Sequence, residues 1–163
     1  MLEISERAKN YCILCLDPDR EWLNLLGREF RTFGFREVLT ANDPKKALTY
    51  LQHCDVDLVI TYHNLKFVKF LRESTASPDK EVAVIMLTNK VGAEDIFAIR
   101  DAGVNEIAVK PCSITQIMQR IEAVASNPRR FVWAPGFTGP DRRRKELNFA
   151  GPERRDEDES EPV

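Results

Sequence analysis

The sequence has no apolar run long enough to cross a bilayer. Its longest stretches, such as residues 82–87, fall far short of the roughly 20 residues that a spanning helix needs. No charged-then-apolar leader opens the chain, so secretion is not expected and a cytoplasmic location is. Neither sign of charge dominates: 24 Lys and Arg stand against 26 Asp and Glu, a net charge of −2, without the basic excess of a general nucleic-acid binder. Histidine is scarce, and His53 and His63 lie too far apart in sequence to suggest a metal pair. The four cysteines (Cys12, Cys15, Cys54, Cys112) sit in or beside apolar runs. Cys12 and Cys15 have C-x-x-C spacing, but on a strand they would point to opposite faces. They are read as structural thiols of a reducing compartment. No metal, cofactor, membrane or nucleic-acid partner is expected.

What is present is enough for one domain with length to spare: 163 residues, 43% of them hydrophobic. Residues 11–125 alternate strand and helix signals. Short apolar runs at 11–16, 38–40, 57–61, 82–88 and 105–109 read as five strands. Asp17-Pro18 and Asp43-Pro44 each offer a capping carboxylate followed by proline at a first helical position. Gly34 and Gly103 stand where helices end, and Ser113 with Gln116 forms a capping box before the stripe Ile114, Ile117, Met118, Ile121, Val124. Strands apolar on both faces demand a parallel sheet covered by helices on each side. The expected fold is a five-stranded, doubly wound, flavodoxin-like α/β sheet with its site at the carboxyl ends of the strands.

Composition changes after residue 125. Residues 126–163 carry Pro-Gly and Gly-Pro pairs, 8 basic and 8 acidic side chains, a weak repeat (FTGPDRR at 137–143, FAGPERR at 149–155) and an acidic run at 156–161. This predicts a largely irregular tail, ordered only where it docks, with Phe131, Trp133 and Phe137 as the docking aromatics. The domain division is therefore set at 1–125 and 126–163.

Three landmarks, LDPD at 16–19, IMLT at 85–88 and VKP at 109–111, stand in the order and spacing of a bacterial response-regulator receiver domain, and residues 11–125 resemble that CheY-like family. RDAGVNE at 100–106 and FTGPDRRR at 137–144 are similar to a group of stand-alone alphaproteobacterial receivers. The resemblance implies an aspartate ending the third strand that accepts a phosphoryl group, and two acids after the first strand that hold Mg²⁺. It also implies a hydroxyl ending the fourth strand, a lysine ending the fifth with a cis peptide before the following proline, and an aromatic switch on the fifth.

Thr88 and Lys110 match the hydroxyl and the lysine, and Asp17 matches the first acid. The other positions depart. The second acid falls on Pro18, with Asp19 one residue late; the acceptor falls on Tyr62; the switch falls on Ile107. About six residues of the loop that usually follows the acceptor are missing after His63 and Asn64. Asp57 cannot substitute, because five residues at about 3.3 Å each put it at the wrong end of the sheet. Asp19 as a relocated acceptor would have to be nucleophile and metal ligand at once. Lys110 is expected to pair with Asp17 or to bind an anion. Thr88 is expected to satisfy backbone groups. Tyr62 either fills the volume left by the lost metal and phosphate or, through its hydroxyl, locks the sheet edge into an active-like state.

These readings predict a degenerate, non-catalytic pseudo-receiver. It would act by contact with a signalling protein, a histidine kinase or another regulator, through residues 93–102, 105–109 and 113–125. The alternative is a cyclic-dinucleotide effector, with Trp133, Arg142, Arg143 and Arg144 of the tail as anion or partner contacts.

Overall fold

A computed structural model describes residues 2–143; Arg144, the second repeat and the acidic run, for which the sequence raised expectations, lie outside the described residues. Strands β1 (Cys12–Leu16), β2 (Glu37–Ala41), β3 (Leu58–Tyr62), β4 (Ala83–Thr88) and β5 (Glu106–Val109) form one parallel sheet in the order β2-β1-β3-β4-β5. This is the predicted flavodoxin-like topology. Side chains alternate across each strand and feed two cores. Ile13, Cys15, Leu58, Ile60 and Ile85 face helices α2 (Arg20–Thr32) and α6 (Ile114–Ser126). Cys12, Leu14, Val59, Val84 and Met86 face α3 (Pro44–His53), α4 (Leu65–Glu73) and α5 (Ala93–Ala102). Every residue of β1 is buried, as a central strand between two helical layers requires.

Cys12 and Cys15 do take opposite faces, and burial pushes both thiols up to about 12. An unfolded thiol ionises near about 8.5. The unfolded chain therefore loses these protons first as pH rises. Their contribution to stability is complete below that value and is lost between it and about 12. In the native protein neither thiol should react with a disulfide reagent at pH about 8, just below that ionisation, until the sheet unfolds; prompt labelling in native buffer would contradict the burial.

The local signals largely hold. Asp43 caps α3 with Pro44 at its start, Gly103 closes α5 in the left-handed region, and the Ser113–Gln116 capping box is formed. One is corrected: the cap of α2 is Asp19, not Asp17, and its carboxylate accepts from the amides of Glu21 and Trp22. Pro18 thus precedes the cap. Asp17 is committed elsewhere, as its contacts show below. A short helix α1 (Glu6–Lys9), not expected from the sequence, is held to α6 by the Ser5 amide and hydroxyl donating to Glu122 at 3.0 and 3.1 Å. Hydrogen bonds from Ser126 and Ser5 hold the Glu122 carboxyl below its usual range.

Within the segment expected to be irregular, β6 (Phe131–Ala134) and β7 (Phe137–Pro140) form an antiparallel hairpin. Pro135-Gly136 makes its turn, with Gly136 at φ 81°. The hairpin packs on α4 and α5. Its anchor is Arg72, 1% exposed, which donates to the carbonyls of Gly103 (3.0 Å) and Lys80 (2.7 Å) and to the Asn105 side chain (3.2 Å). Phe131 of β6 lies over that guanidinium at 5.2 Å. The two tail-associated motifs meet here. An added Cβ on Gly139 would stand 2.8 Å from Cα of Gly103, and Arg142 pairs with Asp101 at 2.8 Å.

Candidate functional site

Parallel strands bring their carboxyl ends to one edge, so the residues that follow β1 and end β3, β4 and β5 converge there. Asp17 is buried, and one of its oxygens receives Lys110 Nζ at 3.3 Å. The other accepts the Asp19 amide at 2.9 Å. Lys110 also stands 5.3 Å above the Trp22 ring, and its bond to Pro111 is cis, as the resemblance implies. The lysine is thus held between a carboxylate and an aromatic face.

Tyr62 ends β3, half-buried, and its hydroxyl accepts from Asn64 Nδ2 at 2.9 Å. Asn64 turns its other side-chain atom to the Phe67 amide and caps α4. His63 and Asn64 alone connect β3 to α4. The Tyr62 hydroxyl therefore locks the strand to the helix start. Thr88 is buried; its hydroxyl accepts from the Lys90 amide at 3.0 Å and meets His63 Nδ1 at 2.9 Å. The sequence singled out Thr88 as a backbone-satisfying hydroxyl but not its histidine partner. The signal available was the shortened connection, which leaves His63 directly after the strand end.

The other sequence-selected residues fall in three places. Asp57 lies at the opposite end of the sheet, accepting from the Cys12 amide at 2.8 Å and paired with Arg36 at 3.0 Å. Ile107 sits on β5 opposite Met86, its side chain against the α3–α5 core. Trp133 and Arg142 sit on the docked hairpin and just after it. Trp133 donates to Glu81 at 3.2 Å, and Arg142 lies 3.9 Å over Phe137. Arg143 pairs with Asp141 at 3.5 Å.

The donors at the strand ends do not fit the divalent cation that the fold family implies. Asp17 is taken up by Lys110 and a backbone amide, Asp19 by two amides of the α2 cap, and Pro18 and Tyr62 bring no carboxylate. Among the described residues no group of three or more His, Cys, Asp or Glu gathers in metal-binding geometry. No helix among them is long and apolar enough to cross a membrane.

A second concavity runs along β5, between α5 and α6. It measures about 530 Å³, with Ile96, Phe97, Ile107 and Val109 among its lining and Arg100, Arg120, Arg129 and Arg142 around it. Glu106 takes part from β5, paired with Arg129 at 3.0 Å and Arg120 at 3.8 Å.

Known proteins resemble this chain in sequence and in fold. The chemotaxis protein CheY-3 of Vibrio cholerae is 28% identical over 120 residues, 71% of this chain and 92% of that protein. The transcriptional regulatory protein PrrA of Mycobacterium leprae is 29% identical over 114 residues, 69% of this chain and 48% of PrrA. The receiver domain of the Francisella response regulator 1452 superposes with a TM-score of 0.63 at 21% identity, covering 72% of this chain and 98% of that one, a likeness of fold. The family model described as the response regulator receiver domain matches residues 13–122, and the chain belongs to that family of two-component signalling modules.

Proposed function

We propose that this receiver is a pseudo-receiver: it takes no phosphoryl group, catalyses nothing, and signals by contact with a histidine kinase or another regulator. The observation that carries this reading is Tyr62 at the end of β3. Its phenol, hydrogen-bonded to Asn64, stands where the family chemistry needs a carboxylate nucleophile. Asp17 supports it, since Lys110 already pairs with the one matched acid of the two that would hold the metal.

Incubation with acetyl phosphate and Mg²⁺ should leave the intact mass unchanged. A base-labile phosphoryl adduct mapped to Asp17 or Asp19 would sink the proposal. Tyr62→Asp alone should not restore acceptance, because Pro18 still withholds the second metal carboxylate. Partner affinity should likewise be indifferent to acetyl phosphate and beryllofluoride. A ligand that discriminates between two states is what shifts a receiver, and this site has no group to receive one.

A second reading, a cyclic-dinucleotide effector, has one observation in its favour. Arg120, Arg129, Arg130 and Arg143 surround a cavity of about 710 Å³ between the end of α6 and the hairpin. Calorimetry with cyclic di-GMP decides it: micromolar binding lost on replacing Arg142, Arg143 and Arg144 with Ala favours the effector, and no heat favours the adaptor.

A further inference from the structure

The groove along β5 has a composition that a bare sheet edge would not have. β5 is the outermost strand on this side of the sheet. Beside it Phe97 is 63% exposed and Val109 45% exposed. Large apolar side chains left open next to a concavity mark a contact surface. Around that floor stand Arg100 from α5, Arg120 from α6, Arg129 from the linker and Arg142 from the end of the hairpin. Two of the four come from residues C-terminal to α6, and the docked hairpin fixes them in place. Among the described residues Glu106 is the one carboxylate in the lining, and it is shared between Arg120 and Arg129. Arg142 is paired in turn with Asp101 at 2.8 Å, so four arginines face two carboxylates and the groove keeps a net positive rim over an apolar floor.

We propose that this groove binds an acidic segment of a partner protein, one that brings an apolar or aromatic side chain to Phe97 and Val109 between carboxylates that meet the arginines. The proposal rests on the adaptor reading, because it names the chemistry of the contact by which such an adaptor would act. Arginine forks pair with carboxylates bidentately, and a partly desolvated rim of them selects by charge more than it adds affinity. Two other occupants fit less well. The chain's own acidic run at 156–161 is Asp, Glu and Ser only and has nothing to fill the apolar floor. A second copy in twofold contact would set the same cationic rim against itself.

The test uses the full chain and two short fluorescent peptides. One has a Phe and a Leu flanked by Asp and Glu; the other is identical but for Lys in place of every acid. The acidic peptide should bind and the lysine peptide should not. Binding should weaken by about tenfold or more between about 0.15 M and about 1 M salt, where the screening length falls from about 8 to about 3 Å. Arg100→Glu with Arg120→Glu should weaken it by about tenfold or more, and Phe97→Ser should weaken it as well. These side chains are exposed, so the fold survives the changes. Arg28→Glu, on the exposed face of α2, should leave binding unchanged.

Absent binding of the acidic peptide, equal binding of both peptides, or indifference to the groove reversals would overturn the assignment. So would an increase in affinity of about tenfold on neutralising the acids of 156–161, which would make that run the occupant. A dimer dissolved by the same arginine reversals would give the groove to a second copy. None of these results touches the adaptor reading, which stands or falls on the phosphodonor experiment.

Discussion

Arg72→Ala is expected to cost about 3–5 kcal/mol of stability, from the three acceptors it leaves without their donor. The side chain is 1% exposed; its hydrogen-bond partners are two backbone carbonyls and the Asn105 amide oxygen, while Asp79 and Glu81 act on it only from longer range. Burial lowers its pKa to about 10, so it remains a cation at neutral pH. Truncation leaves the carbonyls of Gly103 and Lys80 without this donor, and each buried orphan costs about 1–3 kcal/mol. It also removes the cation beneath Phe131. In a protein of this size about 1 kcal/mol moves Tm by about 2–4 °C, so a fall of about 10 °C is expected in thermal unfolding. Arg72→Lys should recover little, since one ammonium cannot serve three acceptors set around a planar fork. A loss below about 1 kcal/mol in urea denaturation would class the site with ordinary surface positions and would mean that water replaces the guanidinium.

This residue also shows where the sequence stops being legible. The sheet was readable because its strands are buried on both faces, which leaves uninterrupted runs such as those in β3 and β4. The helix ends were readable because caps are local chemistry: Asp43 before Pro44, Ser113 three residues before Gln116. Arg72 carried a helical signal, since it falls four residues after Val68 and one after Leu71 on the buried stripe of α4. Its charge argued for the surface, and only a tertiary arrangement of carbonyls overrides that. The hairpin had its signal as well. Pro135-Gly136 lies between two short segments that each carry aromatic or β-branched residues, yet strands of four residues show too little alternation to stand out from a Pro- and Gly-rich stretch.

At the candidate site the matched positions were legible because each ends a strand and parallel topology brings strand ends together. Of the two expectations for Lys110, the structure shows the pairing with Asp17 across the strand ends. The cap of α2 was misassigned because Asp17 and Asp19 flank the same proline. The choice depends on Lys110, which is 93 residues away in sequence. His63 against Thr88 was equally out of reach, because the turn that brings them together is set by the shortened connection after β3.

Gly103→Ala is expected to be much more damaging than Gly34→Ala, although both glycines hold left-handed φ values, +97° and +86°. A Cβ on such a backbone costs about 1–2 kcal/mol in either place. At Gly34 nothing among the described residues lies within 4 Å of that atom, so the backbone strain is the cost. At Gly103 the added carbon would stand 2.8 Å from the Thr138 carbonyl oxygen and 2.9 Å from Cγ of Arg72. Neither neighbour can yield: one is the backbone of β7, and the other is the stem of a guanidinium held by three hydrogen bonds. Overpacking of this kind adds about 1–3 kcal/mol. The chain can relieve it by lifting the hairpin from α5, which would also carry Arg142 away from Asp101. Hydrogen exchange should then show amide protection lost across β6 and β7 while β1 and β3 remain protected. Equal destabilisation by the two substitutions, with the hairpin still protected, would mean that the close approach of Gly103 and Gly139 does not hold it in place. The arginines that this hairpin positions at the β5 groove would then need another anchor.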